Sequence, residues 1–465
     1  MQVCWHRRDL RTADNRALAA ASEVGRVLPV FIFDPNILQH AAANRVSFML
    51  DALSELRADY RELGGDLYLA YGDPTEILPE LATEHGVEKV WWNTDYSGLA
   101  RERDAAVRMA LAEAEVPRES LHDAICHEPG SILTNDGDPY SVYTYFGRKW
   151  HDREKDAPVK SPVSGSIADF EGEELPSLSA LGFEEPTANI TPAGTDAARE
   201  RLAEFCDDGI FRYEDRRDYP AESNTSRLSE HLKWGTIGIR EVYAATERAK
   251  EQAESDETAE SVYEFQSQLA WREFYAHVLW YNPNVTWANY KTYENAIEWR
   301  NDADELVAWK TGETGYPIVD AGMRQLRAEG YMHNRVRMIV ASFLTKDLLI
   351  DWREGYDWFR DQLVDHDTAN DTGGWQWAAS TGTDAQPYFR IFNPMTQGER
   401  YDAEATYIKR YIPELRDVDP DTIHGWHELP DQLREKVAPD YPHPIVDHSV
   451  RREQALSMFE NARGE

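Results

Sequence analysis

Three segments of the sequence gather side chains that could do chemistry. In the first, Gln268, Trp271, Arg272 and Tyr275 fall at i, i+3, i+4 and i+7, which places them on one face of a helix. An amide, an indole, a guanidinium and a phenol on one face suit a site that stacks on a flat ring and hydrogen-bonds its edge. The plainer alternative is a helix–helix contact around a buried Trp. In the second segment, Asn334, Arg337, Met338 and Ala341 share a face, and Gly330 is expected to close the preceding helix in the left-handed conformation. Cations at a helix N-terminus oppose its dipole, so Arg335 and Arg337 need a negative partner. Asp365, Asp367 and Asp371, expected in a loop downstream, could supply one. The third segment is that run itself, residues 365–380. It fails the calcium-loop template, with no Gly at the sixth position and no Glu at the twelfth. Gly373 and Gly374, set before Trp375 and Trp377, suggest backbone packed tightly against something flat.

The familiar hydrolytic and phosphoryl-transfer motifs are absent, which points to an organic cofactor. With 465 residues, two domains are expected. The net charge of −35 opposes bulk attraction to nucleic acid. It fits either an acidic enzyme with a small-molecule substrate or a chain adapted to very high salt, where self-repulsion is screened. The second reading is preferred, because acidic residues are spread along the whole chain and Arg outnumbers Lys. Any DNA binding must then rest on a local basic patch, stacking and shape. The three cysteines, Cys4, Cys126 and Cys206, are far apart and give no disulfide framework; no metal site is expected. No apolar run is long enough to cross a bilayer and no signal core is evident, so a cytoplasmic protein is expected.

The pattern predicts strands at 27–33, 67–71 and 87–93, with helices at 45–63 and 74–84 between them. Asp73-Pro74-Thr75-Glu76 is a helix start: a capping acid, Pro at the first position, then Glu at the positive end of the dipole. Alternation of this kind implies a doubly wound parallel α/β sheet, here without a G-x-G-x-x-G turn. Residues 155–192 shift to Pro, Ser, Gly and Glu and read as a linker. From Thr195 on the signals are helical, at 241–253, 262–279, 320–329 and 334–349. The expected division is an α/β domain over 1–125, a connector over 126–194 and an all-helical domain over 195–465.

Together the segments resemble the photolyase/cryptochrome family. The likeness begins with Trp5-His6-Arg7-Arg8-Asp9-Leu10-Arg11 and Thr225-Ser226-Arg227-Leu228-Ser229. It continues through Trp271-Arg272-Glu273-Phe274-Tyr275, Gly315-Tyr316-Pro317-Ile318-Val319-Asp320 and His333-Asn334-Arg335. It ends with Gly373-Gly374-Trp375-Gln376-Trp377 and Arg390-Ile391-Phe392-Asn393-Pro394. The resemblance implies FAD in the helical domain, with Tyr213 and Thr225, Ser226, Arg227, Leu228 and Ser229 at its phosphates and ribose. Trp271, Arg272, Arg337, Asp365, His366, Asp367 and Asp371 would also contact it. Arg337 and Asp365 would form an ion pair beside the isoalloxazine, with Asp367 accepting from its polar edge. Trp299, Trp352 and Trp375 would form an electron-transfer chain. The implied partner is DNA carrying a pyrimidine dimer, flipped into a cavity walled by Trp271 and Trp377. Gln268, Arg272, Tyr275, Asn334, Arg217, Arg335 and Gln397 would contact it. The enzyme would be a monomeric class I lyase that splits the dimer with an electron from photoexcited reduced FAD.

Asn334 and Met338 stand where (6-4) relatives carry two His, so the resemblance favours the cyclobutane class; neither residue can act as an acid. Arg45, Asp95 and Lys233 match positions that contact an antenna chromophore. A deazaflavin of the 8-hydroxy-5-deazaflavin or coenzyme F420 type is expected in preference to methenyltetrahydrofolate. Two departures stand out. Gln268 replaces the usual Glu and can donate to the lesion through its amide but cannot give up a proton, so a lower quantum yield is expected. Asp371 replaces the usual Asn; as a buried carboxyl it could pass a proton to reduced flavin. Because plant cryptochromes share that Asp, the alternative is a cryptochrome-type blue-light receptor without repair activity. Such receptors usually carry a long C-terminal tail, which favours the enzyme. A third reading, an electron-transfer flavoprotein with a small-molecule partner, fits the acidity but not Trp271 and Trp377.

Overall fold

The computed structural model describes residues 1–465. Five parallel strands run β1 (Gln2–His6), β2 (Val27–Phe33), β3 (Tyr68–Tyr71), β4 (Lys89–Asn93) and β5 (Arg118–Leu121), in the spatial order β3-β2-β1-β4-β5. β1 and β2 are buried along their whole length, as strands covered on both faces must be. The covering helices are α1 (Arg16–Val24), α2 (Ala43–Glu62), α3 (Pro74–Glu84) and α4 (Gly98–Glu113). α3 starts as read: the Asp73 side chain accepts from the Thr75 N–H, Pro74 follows, and Glu76 lies in the first turn. The order reverses between β1 and β4, and doubly wound sheets bind ligands at the carboxyl ends of the strands flanking such a switch. Arg7 and Arg8 leave β1 there, and Thr94 and Asp95 leave β4.

The stretch read as a linker is packed onto the sheet domain. Val27 donates to the Ser166 carbonyl at 2.8 Å and accepts from the Ala168 N–H at 2.8 Å. Ile167 is buried among the residues of β2 and α2. Arg57 and Asp66 then grip the backbone of Gly172. A polar composition marked the absence of regular structure here, but three apolar residues, Ile167, Ala168 and Leu178, are enough to seat the segment.

The helical part contains α5 (Tyr143–Asp152), α6 (Ser229–Trp234), α7 (Ile239–Glu251), α8 (Asp256–Tyr281), α9 (Pro317–Glu329), α10 (Asn334–Ser342), α11 (Trp352–Gln362), α12 (Thr368–Ala378) and α13 (Pro394–Tyr401). α8 opens on a Ser255–Thr258 capping box. α9 closes at Gly330 with φ of 61°, in the left-handed region as expected. α10 is followed by a π-helical turn, Phe343–Asp347, where a single long helix over 334–349 was expected. The loop expected across residues 365–380 is mostly α12. Asp367 is its N-cap, accepting from the Asn370 N–H; the Gly pair, unfavourable in a helix, hid it. The flat object against Gly373 is the Tyr275 ring, which a Cβ at 373 would strike.

The two parts meet at a buried cluster of charge. Arg240 of α7 is 1% exposed. It donates from Nε to Asp14 Oδ1 at 2.8 Å and from Nη2 to Asp123 Oδ1 at 2.6 Å. Arg11 pairs with the other oxygen of Asp123 at 2.5 Å and donates to the Gly235 carbonyl. Burial opposes ionisation of Asp123, but Arg11 and Arg240 outweigh it and hold its carboxyl below the usual range. Removing one member leaves uncompensated buried charge. Arg240→Met is therefore expected to lower stability by about 3–5 kcal/mol, read from denaturant unfolding. Gly373→Ala is expected to cost about 1–3 kcal/mol by driving α12 off α8, read the same way.

Candidate active site

α12 packs against both α8 and α10, so the three chemistry-bearing segments come together. Their shared faces are real: Gln268, Trp271, Arg272 and Tyr275 are all half-buried while their neighbours Leu269, Ala270, Glu273 and Phe274 are buried. On α10, Asn334 is exposed, Arg337 and Met338 are half-buried, and Ala341 lies beneath. Asn334 Nδ2 points at the Met338 sulfur, 3.9 Å away.

Between these helices Arg337 Nη2 donates to Asp365 Oδ2 at 2.7 Å. Burial opposes the Arg337 charge, but Asp365 more than offsets it and holds the guanidinium protonated. The second oxygen, Asp365 Oδ1, is buried without a partner, and such a group expects a donor. One turn into α12, Asp371 accepts from His366 Nδ1 at 2.5 Å. Burial lowers the His366 pKa more than Asp371 raises it, which favours the neutral imidazole. Asp371 thus has a proton partner that the sequence did not disclose. A Cβ at Gly374 would meet nothing within 4 Å, so this face of α12 borders open space.

The segment entering α6 carries Thr225 and Ser226, both half-buried, then Arg227 at φ of 50°, buried Leu228 and exposed Ser229. The Arg227 guanidinium lies 3.5 Å from the centre of the Tyr331 ring, and its Nε is buried without a partner. The Arg337 guanidinium lies 5.4 Å from the same ring, so Tyr331 joins this segment to the Arg337–Asp365 pair. Tyr213 is buried nearby, with Arg217 over its ring at 5.7 Å. Hydroxyls and a guanidinium with one unpaired buried donor suit an anionic, ribose-bearing ligand, and the unpaired Asp365 oxygen suits a donor on its ring. These residues fit FAD.

A third group sits at the sheet's switch point. Arg8 bridges Asp95 at 3.3 Å and Asp367 at 2.5 Å. Burial opposes the charge on Asp367, but Arg8, then Lys233 and Arg272, outweigh it and hold the carboxyl well below the usual range. Against burial, Arg8 and Arg7 bring Asp95 down to about 2. Burial pushes the Lys233 ammonium down to about 7, with Arg8 adding to the shift and Asp367 and Asp95 opposing it. Arg272 donates to the Ala124 and Leu232 carbonyls. Arg45, buried at the start of α2, donates to the His40 carbonyl and reaches the Leu363 carbonyl. Asp95 and Lys233, matched to an antenna, therefore share one ionic cluster with Asp367 and Arg272, matched to FAD. A cavity of about 20 Å³ lies among Arg8, Asp95, Arg272 and Asp367, room for roughly one water.

Trp271 is backed by Tyr143 of α5, with ring centres 3.7 Å apart and planes at 11°. Tyr143 is held in turn by its hydroxyl, which donates to the Ser267 carbonyl at 2.8 Å. Trp377 is half-buried, with its ring centre 6.3 Å from that of Phe392. Arg335 pairs with Asp218 at 2.6 Å and Arg217 with Glu264 at 2.5 Å. Gln397 is half-buried on α13. The expected donation from Gln268 to a lesion is not what its surroundings favour, because Nε2 already donates to Glu264 Oε1 at 3.0 Å. Trp375 and Trp352 are buried and Trp299 is half-buried. Trp375 lies where a side chain on Gly355 of α11, the helix that Trp352 opens, would strike it. Arg8, Tyr143, Glu264 and Tyr331 were not singled out from sequence. For Glu264 a signal existed, its position one turn before Gln268; the others act through contacts more than 100 residues away along the chain.

Residues 2–163 match the family model described as DNA photolyase, and residues 265–461 match that described as FAD binding domain of DNA photolyase. The chain is 62% identical over its whole length to the full-length deoxyribodipyrimidine photo-lyase of Halobacterium salinarum. A bacterial class III photolyase from Agrobacterium tumefaciens superposes with a TM-score of 0.91 at 38% identity, covering 100% of this chain and 98% of that one. An archaeal photolyase from Sulfolobus tokodaii, solved with two FAD molecules, superposes at 0.84 and 35% identity, covering 99% and 100%. The chain belongs to the DNA photolyase family.

Proposed function

We propose that this enzyme is a deoxyribodipyrimidine photo-lyase that splits cyclobutane pyrimidine dimers in DNA under light. The observation that carries the reading is the packing of α12 against both α8 and α10, which brings together the Arg337–Asp365 pair, with its unpaired buried oxygen, and two half-buried indoles, Trp271 and Trp377. Bound FAD, photoexcited in its reduced form, would supply the reversible one-electron chemistry that ring opening needs. Arg337, Asp365, Asp367, His366, Asp371, Arg272, Tyr213 and residues 225–229 hold that cofactor. Trp271, stiffened by Tyr143, and Trp377 wall the flipped dimer. Each such stack is worth about 1–3 kcal/mol, against a flipping cost of a few kcal/mol. Asn334 and Met338 supply a hydrogen-bonding edge and an apolar surface with no acid, which supports the cyclobutane lesion. Arg217 and Arg335 exchange Glu264 and Asp218 for phosphates, and Gln397 and Tyr275 complete the contact. Trp299, half-buried, and Trp352 and Trp375, both buried, carry electrons inward.

The ordered motifs support class I, and the net charge supports a halophilic source. We retain the division into 1–125, 126–194 and 195–465, a monomer, and a place in the cytoplasm; no helix is long and apolar enough to cross a membrane. For the second chromophore we propose a deazaflavin at Arg45, Asp95 and Lys233. A second FAD, as in the Sulfolobus tokodaii structure, is the alternative, and the absorption of chromophore released from purified protein separates them. A cryptochrome-type receptor without repair activity has less support: the full-length relative at 62% identity is a photo-lyase.

Illumination of FAD-loaded protein with dimer-containing DNA, in high and in low salt, is expected to remove dimers only in the light. No loss in either salt overturns the reading. Trp377→Ala is expected to weaken binding to dimer-containing DNA by about 1–3 kcal/mol, roughly five- to 150-fold, with little change for undamaged duplex. Trp299→Phe is expected to block light-driven reduction of the bound cofactor while leaving repair by chemically reduced enzyme intact.

A further inference from the structure

We propose that Glu264 is a positioning residue: it fixes the amide of Gln268 so that only its carbonyl oxygen faces the lesion, and it holds Arg217 in reserve for the DNA backbone. The inference rests on the photolyase reading of the same site.

Glu264 lies one turn before Gln268 on α8. Gln268 Nε2 donates to Glu264 Oε1 at 3.0 Å and to the Glu264 main-chain oxygen at 3.3 Å. Two acceptors around one terminal atom of an amide identify that atom as the nitrogen. Both of its protons are then used, and the free end of the side chain is an acceptor. Beside Trp271, that acceptor matches an imide N–H, which thymine and uracil rings carry at N3 and cytosine does not.

The same Glu264 oxygen lies 2.5 Å from Arg217 Nη1, with the two side chains 30% and 27% exposed. A pair this open exchanges partners: a phosphate can take the guanidinium without any helix moving. One carboxylate thus serves an amide on its left and a cation on its right. A second carboxylate at position 268 would place like charges at i and i+4, competing for Arg217. The identity of residue 268 is therefore coupled to that of residue 264.

The test uses the full chain loaded with FAD, in four forms: wild type, Glu264→Gln, Gln268→Glu and the double variant. Repair yield is measured at saturating thymine-dimer DNA, and affinity for the same DNA is measured across salt. Contrary to the expectation from the resemblance that Glu is the better residue at 268, Gln268→Glu beside Glu264 is expected to lower the yield roughly threefold or more, and adding Glu264→Gln to restore it to within about twofold of wild type. In the wild type the Glu264 carboxylate, released as Arg217 moves to a phosphate, takes up a cation that offsets one released from the DNA; Glu264→Gln removes that uptake, so the slope of log affinity against log salt is expected to steepen by about one. The inference is overturned if Gln268→Glu has the same effect with either residue at 264, or if the salt slope does not change. Should a variant fail to load FAD, visible in its absorption spectrum, the salt slope of Glu264→Gln decides alone. A wild type that repairs nothing in the light would sink the photolyase reading instead, whereas a repairing wild type with additive variants sinks only the role of Glu264.

Discussion

Arg240 is the point on which the rest of the molecule turns. A guanidinium with almost no contact with solvent must find every partner inside the protein, and Arg240 takes its partners from the other side of the seam, at Asp14 and Asp123. That requirement fixes α7 against the carboxyl-terminal edge of the sheet. It also brings Gly235 onto the backbone of Arg8 and Gly238 against Asp14, approaches that a side chain at either position would prevent. Once those backbones touch, Arg8 and Lys233 are delivered to the start of α12. The cofactor-facing end of the helical bundle is thereby set by an ionic lock more than 100 residues away in sequence from α12.

The chain carries 84 acidic residues and 49 Lys and Arg, and the placement of the cations is informative. Many of them are spent inside or at the seam: Arg7, Arg11, Arg45, Arg57, Arg240 and Lys346 are buried. Arg217 and Arg335, which the proposed function sets against DNA, are held by carboxylates rather than displayed. A surface organised this way gains little from long-range attraction to a polyanion. On the function proposed above, recognition then depends on stacking against Trp271 and Trp377 and on local exchange of ion-pair partners, interactions that screening by salt weakens far less.

Local rules made much of this legible. The capped start of α3, the left-handed Gly330 and the shared faces of α8 and α10 all follow from short-range geometry, and each is present. What failed was also physical. β5 reads Arg-Glu-Ser-Leu and carries no apolar signal, because an edge strand needs little burial. The short β1 was not marked out as a strand. α12 was hidden by its two glycines, whose purpose is tertiary: one admits Tyr275 and the other leaves a face open. Pairings such as Arg8 with Asp367, 359 residues apart, or Tyr143 with Trp271, have no local signature at all.

The stretch between the sheet and the bundle does two jobs at two places. Residues 166–168 are hydrogen-bonded beside β2 as though they belonged to the sheet, while Tyr143 lies flat on Trp271. The line along which the chain divides architecturally is therefore not the line along which it divides by task. Inheritance by recombination would feel this difference. A hybrid spliced from two relatives at residue 125 keeps the indole with its own backing ring, whereas one spliced at residue 194 pairs each parent's Trp with a stranger's Tyr.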